Sequence, residues 1–403
     1  MRERTTGGRN LTGRRLTLYP AAALLAVFVA FVYAVVSSDG PRIATGRLGG
    51  DYPAFYAAGT LVARGDSEQL YQSTAQLAAQ EGTHFGEAEG NFLIFPYPPH
   101  FALLYVPFSW LPYKWSFVLH TAVMAALLAA TARLLMPLLP RLGRYPFVLF
   151  AMLVIYYPMF RALVGGQNTP LTIFLLALVW RAMAQERQYL LGTSLAALLF
   201  KPHFSLVMSV LSGLRLSKGL VLSWLGVAAV TYALGAAVGG LDWISWWLGE
   251  VYRFQVTDQA VNASNSVGIL GFLEAMFGPG SPPVVAAGLL LSTGLGLWLM
   301  ILWWRREEPL NHRLAITFAA FPLVQPHALY YDGGIALLSL FILLDQKQGP
   351  GPFAITAVFC AAFLTPLSRY LGVNPLFFVL IAILVMSIMA RRAWVLAQED
   401  SRS

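Results

Sequence analysis

The chain has 403 residues, of which 57% are hydrophobic and only 11% are charged. Soluble globular domains carry about 25% charged residues, so this composition excludes a soluble domain and indicates an integral membrane protein. The net charge of +8 does not indicate nucleic acid binding, because the basic residues cluster at the ends of apolar runs.

The basic residues also predict which ends of the apolar runs face the cytoplasm. The side that holds the N-terminus collects 19 of the 27 lysines and arginines, an asymmetry typical of cytoplasmic loops. Both termini are therefore predicted to be cytoplasmic in the plasma (inner) membrane, which requires an even number of crossings. Residues 1–16 form a basic cytoplasmic tail, and the first apolar run is interpreted as a retained helix because it is too long for a signal peptide core.

Apolar runs of about twenty residues can cross a bilayer as helices. The sequence contains twelve apolar segments, so the predicted fold class is all-α, a polytopic membrane protein with one transmembrane domain over residues 1–403. The segments lie at about 17–38, 115–137, 145–163, 169–184, 189–200, 203–214, 219–240, 284–304, 312–326, 328–344, 352–371 and 375–390. Two pairs of short segments turn at KPH (201–203) and QPH (325–327). Such short helices tilt, thin the bilayer or end in a protein-lined cavity.

Two long loops fall on the predicted outer side, at about 39–114 and 241–283. In the first loop, Tyr52, Phe55 and Tyr56 share one helical face. This spacing predicts amphipathic helices that lie in the membrane interface with their aromatic side chains toward the lipid. The second loop contains WISWW at 243–247, an aromatic cluster typical of membrane interfaces.

Most of the unusual polar residues fall at the outer ends of these segments. Ionisable groups in or near a bilayer are costly and usually line a cavity, so we expect these residues to share one that opens outward. A carboxylate opposite cations and imidazoles suits an anionic, lipid-linked substrate, with basic groups on a phosphate, an aspartate as general base and aromatic rings on a sugar. The residues are Asp51, Arg161, Gln167, Asn168, Lys201, His203, Arg253, Asn262 to Ser266 (including Asn265), His327, Tyr330 and Tyr331.

Each of these residues also has a purely structural interpretation. Asp51 stands where an acid stabilises the first turn of a helix, and Lys201 can extend to the lipid headgroups. His327 can cap or pack against a helix. The remaining alternatives are a polar turn for Gln167 and Asn168 and lipid anchoring for Arg161 and Arg253. The functional hypothesis depends on their joint occurrence at one face.

Several signatures of cofactor chemistry are absent from the sequence. It contains no P-loop, no His or Cys cluster with metal-ligand spacing and no Asp-x-Asp pair. We therefore expect neither a nucleotide nor another cofactor, and no metal.

Six stretches of the sequence resemble glycosyltransferase family 87, in the order that the family has them. The family's members are multipass transferases of the C-type fold that use polyprenyl-phosphate sugars, and they include mannosyltransferases acting on phosphatidylinositol mannosides. The stretches are GGDYPAFYAAGTLVARGDSEQLY (49–71), FPYPPHFALLYVPFSWLP (95–112), GGQNTPLTIFLLALVW (165–180), KPHF (201–204), NASNSVGILGFL (262–273) and QPHALYYDGGIALL (325–338). His203 departs from the pattern, which more often has an amide there.

The resemblance implies a function and a role for each site residue. An acid in the first outer loop is the usual catalytic residue of such enzymes, and here it is Asp51. The donor would be a polyprenyl-phosphate sugar, with mannose the predicted sugar, and the acceptor a lipid or glycan of the cell envelope. The resemblance implies that the donor is bound by Lys201, His327, Arg161, Gln167, Asn168, Tyr331, Asn265 and Arg253. Tyr52, Tyr56 and His203 would bind the acceptor.

A second hypothesis comes from a different functional class. A lipid or solute transporter, or flippase, would use the same charged cavity for translocation. Transporters often show repeat symmetry with broken helices in both halves. The long, aromatic first outer loop has no counterpart in the second half of this sequence, which favours the transferase.

Overall fold

A computed structural model describes residues 6–39, 42–43, 46–80, 93–213, 217–305, 307–346 and 349–400. These residues are almost entirely helical, which confirms the predicted all-α class. Within the described ranges, the strands are an antiparallel pair of two residues each, β1 (Arg42–Ile43) and β2 (Gly46–Arg47). The pair lies in the predicted first outer loop, directly before Asp51.

The chain begins with a long apolar helix, passes through short helices in this loop and continues into a second long helix. A run of short helices, rich in proline, precedes the second long helix. The bounds are α1 (Thr6–Val36), α2 (Tyr52–Arg64), α3 (Ser73–Ala79), α4 (Pro99–Ala102), α5 (Val106–Ser109) and α6 (Tyr113–Leu135).

The middle of the chain consists mainly of short helices. Its bounds are α7 (Pro146–Ile155), α8 (Tyr157–Val164), α9 (Thr169–Ala184), α10 (Gln188–Ala197), α11 (Pro202–Gly213) and α12 (Lys218–Gly239). Helices α7 and α8 meet at an angle of 69°. Pro158 at the start of α8 explains the break, because proline cannot donate the backbone hydrogen bond that a continuous helix needs.

The C-terminal part begins with the helix of the second outer loop and ends with a long helix. Its bounds are α13 (Trp243–Asn262), α14 (Ile269–Phe277), α15 (Pro282–Arg305), α16 (Leu310–Val324), α17 (Ala336–Asp345), α18 (Pro352–Ala361), α19 (Ser368–Leu371) and α20 (Leu376–Asp400). Most residues of α16 and α17 are buried, and these helices pack against each other and against α20.

Six helices in the described residues are long and apolar enough to cross a membrane, and the bent α7–α8 pair would make a seventh. The six are Arg15–Val36, Tyr113–Leu138, Lys218–Gly239, Pro282–Arg305, Pro352–Leu371 and Leu376–Glu399. The other predicted segments do form helices, but a helix of 15 residues such as α16 extends only about 22 Å. The twelve crossings therefore stay a prediction.

The aromatic face of α2 lies elsewhere than the sequence analysis expected. Tyr52 and Phe55 are almost completely buried, and the Phe55 ring stacks on that of Tyr105 with 4.9 Å between ring centres. The same periodicity that suggested contact with lipid therefore reflects packing against the segment before α6. Helical spacing identifies an apolar face but does not say whether protein or lipid covers it.

Candidate active site

A cavity of about 390 Å³ lies between the start of α2, the start of α9, the α10–α11 junction, α13 and the segment that follows α16. Its polar lining includes Asp51, Gln167, Lys201, His203, His327, Tyr331 and Asp332. Most of the apolar lining comes from α13 and the segment before α4. Residues separated by almost 300 positions in sequence thus meet in one chamber.

Asp51 reaches this cavity because two glycine pairs pack against each other. Gly49 and Gly50 have positive φ angles of +82° and +50°, and Gly166 has one of +65°. The backbone N–H of Asp51 donates to the carbonyl oxygen of Gly165, at 3.0 Å. A Cβ on Gly166 would lie 2.5 Å from the Cβ of Tyr52, so only glycine allows this approach.

The same contact brings the predicted polar turn after Gly166 to the carboxylate. Gln167 is buried, and its Nε2 donates to the Oδ2 of Asp51 at 2.5 Å. The next residue, Asn168, is fully buried at the N-terminus of α9. Gln167 therefore holds the Asp51 carboxylate in one orientation.

Lys201 lines the cavity together with a carboxylate that the sequence analysis did not select. The Lys201 Nζ lies 2.8 Å from the Oδ1 of Asp332, and both side chains are buried. The backbone N–H of Leu329 donates to the other carboxylate oxygen, at 3.3 Å. An acid inside the apolar stretch YYDGGIALL was a usable signal, because a buried carboxylate needs a charged or hydrogen-bonding partner.

The two predicted histidines and Tyr331 complete this side of the cavity. His203 follows Lys201 at the start of α11, and His327 belongs to the QPH turn after α16. The His327 ring meets the edge of Phe254, with 5.2 Å between ring centres. The Tyr331 ring centre lies 5.9 Å from the Lys201 Nζ.

Two arginines approach Asp51 from outside the cavity lining. The Arg161 guanidinium lies 5.7 Å from the Tyr330 ring centre, and its charge interacts with that of Asp51. Arg47, on β2, was not selected from the sequence, but its charge also interacts with Asp51. Burial lowers the pKa of Arg47, whereas Tyr113 and Asp51 oppose that shift. Two positively charged side chains, Arg161 and Arg47, therefore lie near the Asp51 carboxylate.

Two residues predicted to bind the donor, Arg253 and Asn265, do not line the cavity themselves and have other partners. Arg253 pairs with Glu250 and donates to the Tyr71 carbonyl oxygen at 2.8 Å, which ties α13 to the first outer loop. The Asn265 amide donates to the Oδ1 of Asn262 at 3.0 Å. Donor binding by these two side chains stays a prediction that the geometry does not favour.

The two tyrosines predicted to bind the acceptor also lie outside the lining. Tyr52 shares a hydrogen bond of 2.6 Å with Ser116 on α6. Tyr56 donates to the Leu111 carbonyl oxygen at 2.9 Å. Both phenols hold α2 against neighbouring elements, so their acceptor role is likewise an untested prediction.

The comparison with known families adds an independent finding to this geometry. A model of glycosyltransferase family 87 matches residues 95–326, which is more than half of the chain. The chain belongs to glycosyltransferase family 87. As a family 87 glycosyltransferase, it is a membrane protein that transfers a sugar from a donor to an acceptor. No curated protein and no solved structure matches it.

The family match covers only part of the cavity. Gln167, Lys201 and His203 lie within it, whereas His327 follows its last residue and Asp51 precedes its first. The role of Asp51 therefore depends on its position in the structure. Among the described residues, no group of three or more His, Cys, Asp or Glu side chains is placed to hold a metal ion.

Proposed function

We propose that this family 87 enzyme is an inverting glycosyltransferase of the C-type fold. It moves a sugar, with mannose the leading candidate, from a polyprenyl-phosphate donor to a lipid or glycan acceptor at the outer face of the plasma membrane. Family membership favours this transferase hypothesis over the transporter hypothesis. The predicted topology, with the basic loops in the cytoplasm, supports action at the outer face.

The observation that carries the proposal is that Asp51, Lys201 and His327 line one cavity. A carboxylate, an ammonium group and an imidazole from distant parts of the chain have no packing reason to share a wall. The apolar part of the lining, which includes Trp247, Leu248 and Val251, suits an isoprenoid chain. A lipid-linked phosphate would meet both kinds of wall at once.

In the proposed reaction, Asp51 acts as the general base. Its carboxylate takes the proton of the acceptor hydroxyl as the hydroxyl oxygen attacks the anomeric carbon of the donor sugar. The bond between that carbon and the phosphate oxygen breaks, and the electron pair leaves with the polyprenyl phosphate. Attack from the side opposite the leaving group inverts the anomeric configuration.

Lys201 and Arg161 as cations, with the His327 imidazole as a hydrogen-bond donor, would stabilise the charge that grows on the leaving phosphate. Lys201 and His327 line the cavity, and Arg161 lies near Asp51. Fixed positive groups in a site with little water stabilise such charge far better than water does. In this proposal Gln167 orients the base, and His203 and Tyr331 contact the substrates.

The test is transfer by the purified protein. Labelled polyprenyl-phosphate mannose, and in parallel the arabinose donor, are incubated with a phosphatidylinositol mannoside acceptor, and glycolipid products are separated and counted. We expect transfer by the wild type and a loss of at least about a hundredfold in Asp51→Asn, because general base catalysis contributes 10²–10⁴. Asp242→Asn is the matched control, since that exposed side chain makes no cap hydrogen bond.

Two results would count against the proposal. Near wild-type transfer by a folded Asp51→Asn protein would exclude Asp51 as the base. Movement of the donor across a vesicle membrane without formation of any glycoside, by a protein that transfers neither sugar, would restore the transporter hypothesis.

A further inference from the structure

The buried pair of Lys201 and Asp332 poses a problem for phosphate binding. Both side chains line the cavity, and 2.8 Å separates the Lys201 Nζ from the Asp332 Oδ1. The positive charge that would meet the phosphate is therefore already matched by a carboxylate. A site built only for tight phosphate binding would keep the ammonium group unopposed.

Part of the answer is structural. A buried ammonium group stays charged only when it has a partner, and removal of one member of such a pair is strongly destabilising. That need alone does not explain why Asp332 itself lies on the cavity wall, where any phosphate on Lys201 would face its negative charge. A partner on the far side of Lys201 would have met the same structural need.

The reaction supplies a second reason, and this step rests on the proposed function. The donor is a phosphodiester with one negative charge. The product, polyprenyl phosphate, is a phosphate monoester with a charge of about −1.5 to −2 near neutral pH. It therefore binds fixed cations more tightly than the donor does, and an unopposed lysine would retain it.

We propose that Asp332 promotes product release by competing with the product phosphate for Lys201. Its position is fixed, because the Leu329 N–H holds the second carboxylate oxygen and the residue begins a short helical turn, Asp332–Ile335. When the phosphate leaves, Lys201 returns to a partner that is already in place. Asp332 is thus a positioning residue that acts through Lys201.

The experiment measures inhibition by the product. Undecaprenyl phosphate is titrated into the transfer assay and into a direct binding assay in detergent, with undecaprenol as the probe without phosphate. In Asp332→Asn we expect affinity for the phosphate to rise about tenfold, which corresponds to a lysine that is available to ligand about a tenth of the time in the wild type. Affinity for undecaprenol should not change, and the ratio of the steady-state rate to the single-turnover rate should fall.

A double variant covers the case in which Asp332→Asn does not fold. Lys201→Met with Asp332→Leu removes both charges, so neither is left buried alone. We expect its affinity for undecaprenyl phosphate to fall by no more than about tenfold, because competition by Asp332 already removes about tenfold of the attraction that Lys201 would otherwise supply. A loss of about a hundredfold or more, the full contribution of an unopposed charged hydrogen bond, would show that Lys201 binds phosphate without competition and would overturn the inference.

The outcomes separate this inference from the proposed function. Unchanged or weaker phosphate affinity in a folded Asp332→Asn protein, with phosphate-dependent inhibition of the wild type, overturns the role of Asp332 and leaves the transferase proposal standing. If the wild type neither transfers sugar nor distinguishes undecaprenyl phosphate from undecaprenol, the donor class is wrong and both proposals fail. Asp242→Asn should behave as the wild type throughout.

Discussion

Replacement of Gly166 by alanine tests whether the paired glycine turns position Asp51, the proposed general base. Gly166 has a φ of +65°, and a Cβ there would lie 2.5 Å from the Tyr52 Cβ and 2.9 Å from the Gly49 carbonyl oxygen. The left-handed conformation costs alanine about 1–2 kcal/mol. Overpacking adds about 1–3 kcal/mol, so the variant should lose about 2–5 kcal/mol of folding free energy unless the turn moves away.

Movement of the turn would relieve the contact at the expense of the active site. Asp51 follows Gly50 directly, and its N–H is bonded to Gly165. A displacement of about 1 Å can lower a catalytic rate about a hundredfold. We therefore expect the Gly166→Ala protein that survives purification to show kcat reduced by about that factor.

The matched control is Gly65→Ala. Gly65 also has a positive φ, +84°, but a Cβ there would have no atom within 4 Å. This variant bears the conformational cost alone, so its stability should fall by only about 1–2 kcal/mol and its transfer rate should remain near that of the wild type. Thermal unfolding in detergent and the sugar transfer assay measure the two effects. Equal activity of the two folded variants would refute the role assigned to the glycine contact.

Two further substitutions test other parts of the structure. Gln167→Leu removes the hydrogen bond to Asp51. Because hydrogen bonds to charged groups contribute about 1.5–3 kcal/mol, kcat should fall about tenfold to a hundredfold with folding retained. An unchanged kcat would argue against orientation of Asp51 by Gln167. Arg253→Met leaves the buried Glu250 without its ion-pair partner. Because Arg253 is partly exposed, stability should fall by about 1–2 kcal/mol. Adding Glu250→Gln should recover most of that loss in thermal unfolding, and no recovery would contradict the assignment.

The surroundings of Glu250 explain why Glu250→Gln should stabilise the Arg253→Met protein. Burial raises the pKa of Glu250, and the hydrogen bond from Gln76 and the charge of Arg253 oppose that shift. Removal of Arg253 takes away one of the opposing contributions, so the ionised carboxylate becomes more costly to bury. This is why the neutral amide at position 250 should restore stability.

The cost of placing polar side chains near a bilayer was enough to predict, from the sequence alone, which residues share the cavity. Asp51, Gln167, Lys201, His203, and His327 were grouped because polar side chains near a bilayer need a cavity, and all of them line the same one. The all-α class followed from the apolar runs in the same way. Both inferences depend on the free-energy cost of exposing polar groups to lipid, which can be judged without knowledge of how the side chains pack.

What the sequence did not reveal depends on packing and on partners. An acid in an apolar stretch indicates that Asp332 needs a partner, but the sequence does not show that this partner is Lys201. The family resemblance implies acceptor binding by Tyr52, but the phenol of Tyr52 shares a hydrogen bond with Ser116. Arg253 was assigned to the phosphate by its charge, although Glu250 already balances it. Sequence patterns identify such groups but do not show which partner each one finds.

The contact between the Gly49–Gly50 turn and the Gly165–Gly166 turn limits how far the chain can be shortened without loss of part of the cavity. The family match begins at residue 95, yet Asp51 belongs to an earlier stretch, and its backbone N–H donates a hydrogen bond to the carbonyl oxygen of Gly165. A fragment trimmed to the matched region would retain Gln167 and Lys201 and lose both carboxylates, Asp51 at one end and Asp332 at the other. The smallest piece of this chain with a complete chamber must therefore begin before Gly49 and extend beyond Asp332.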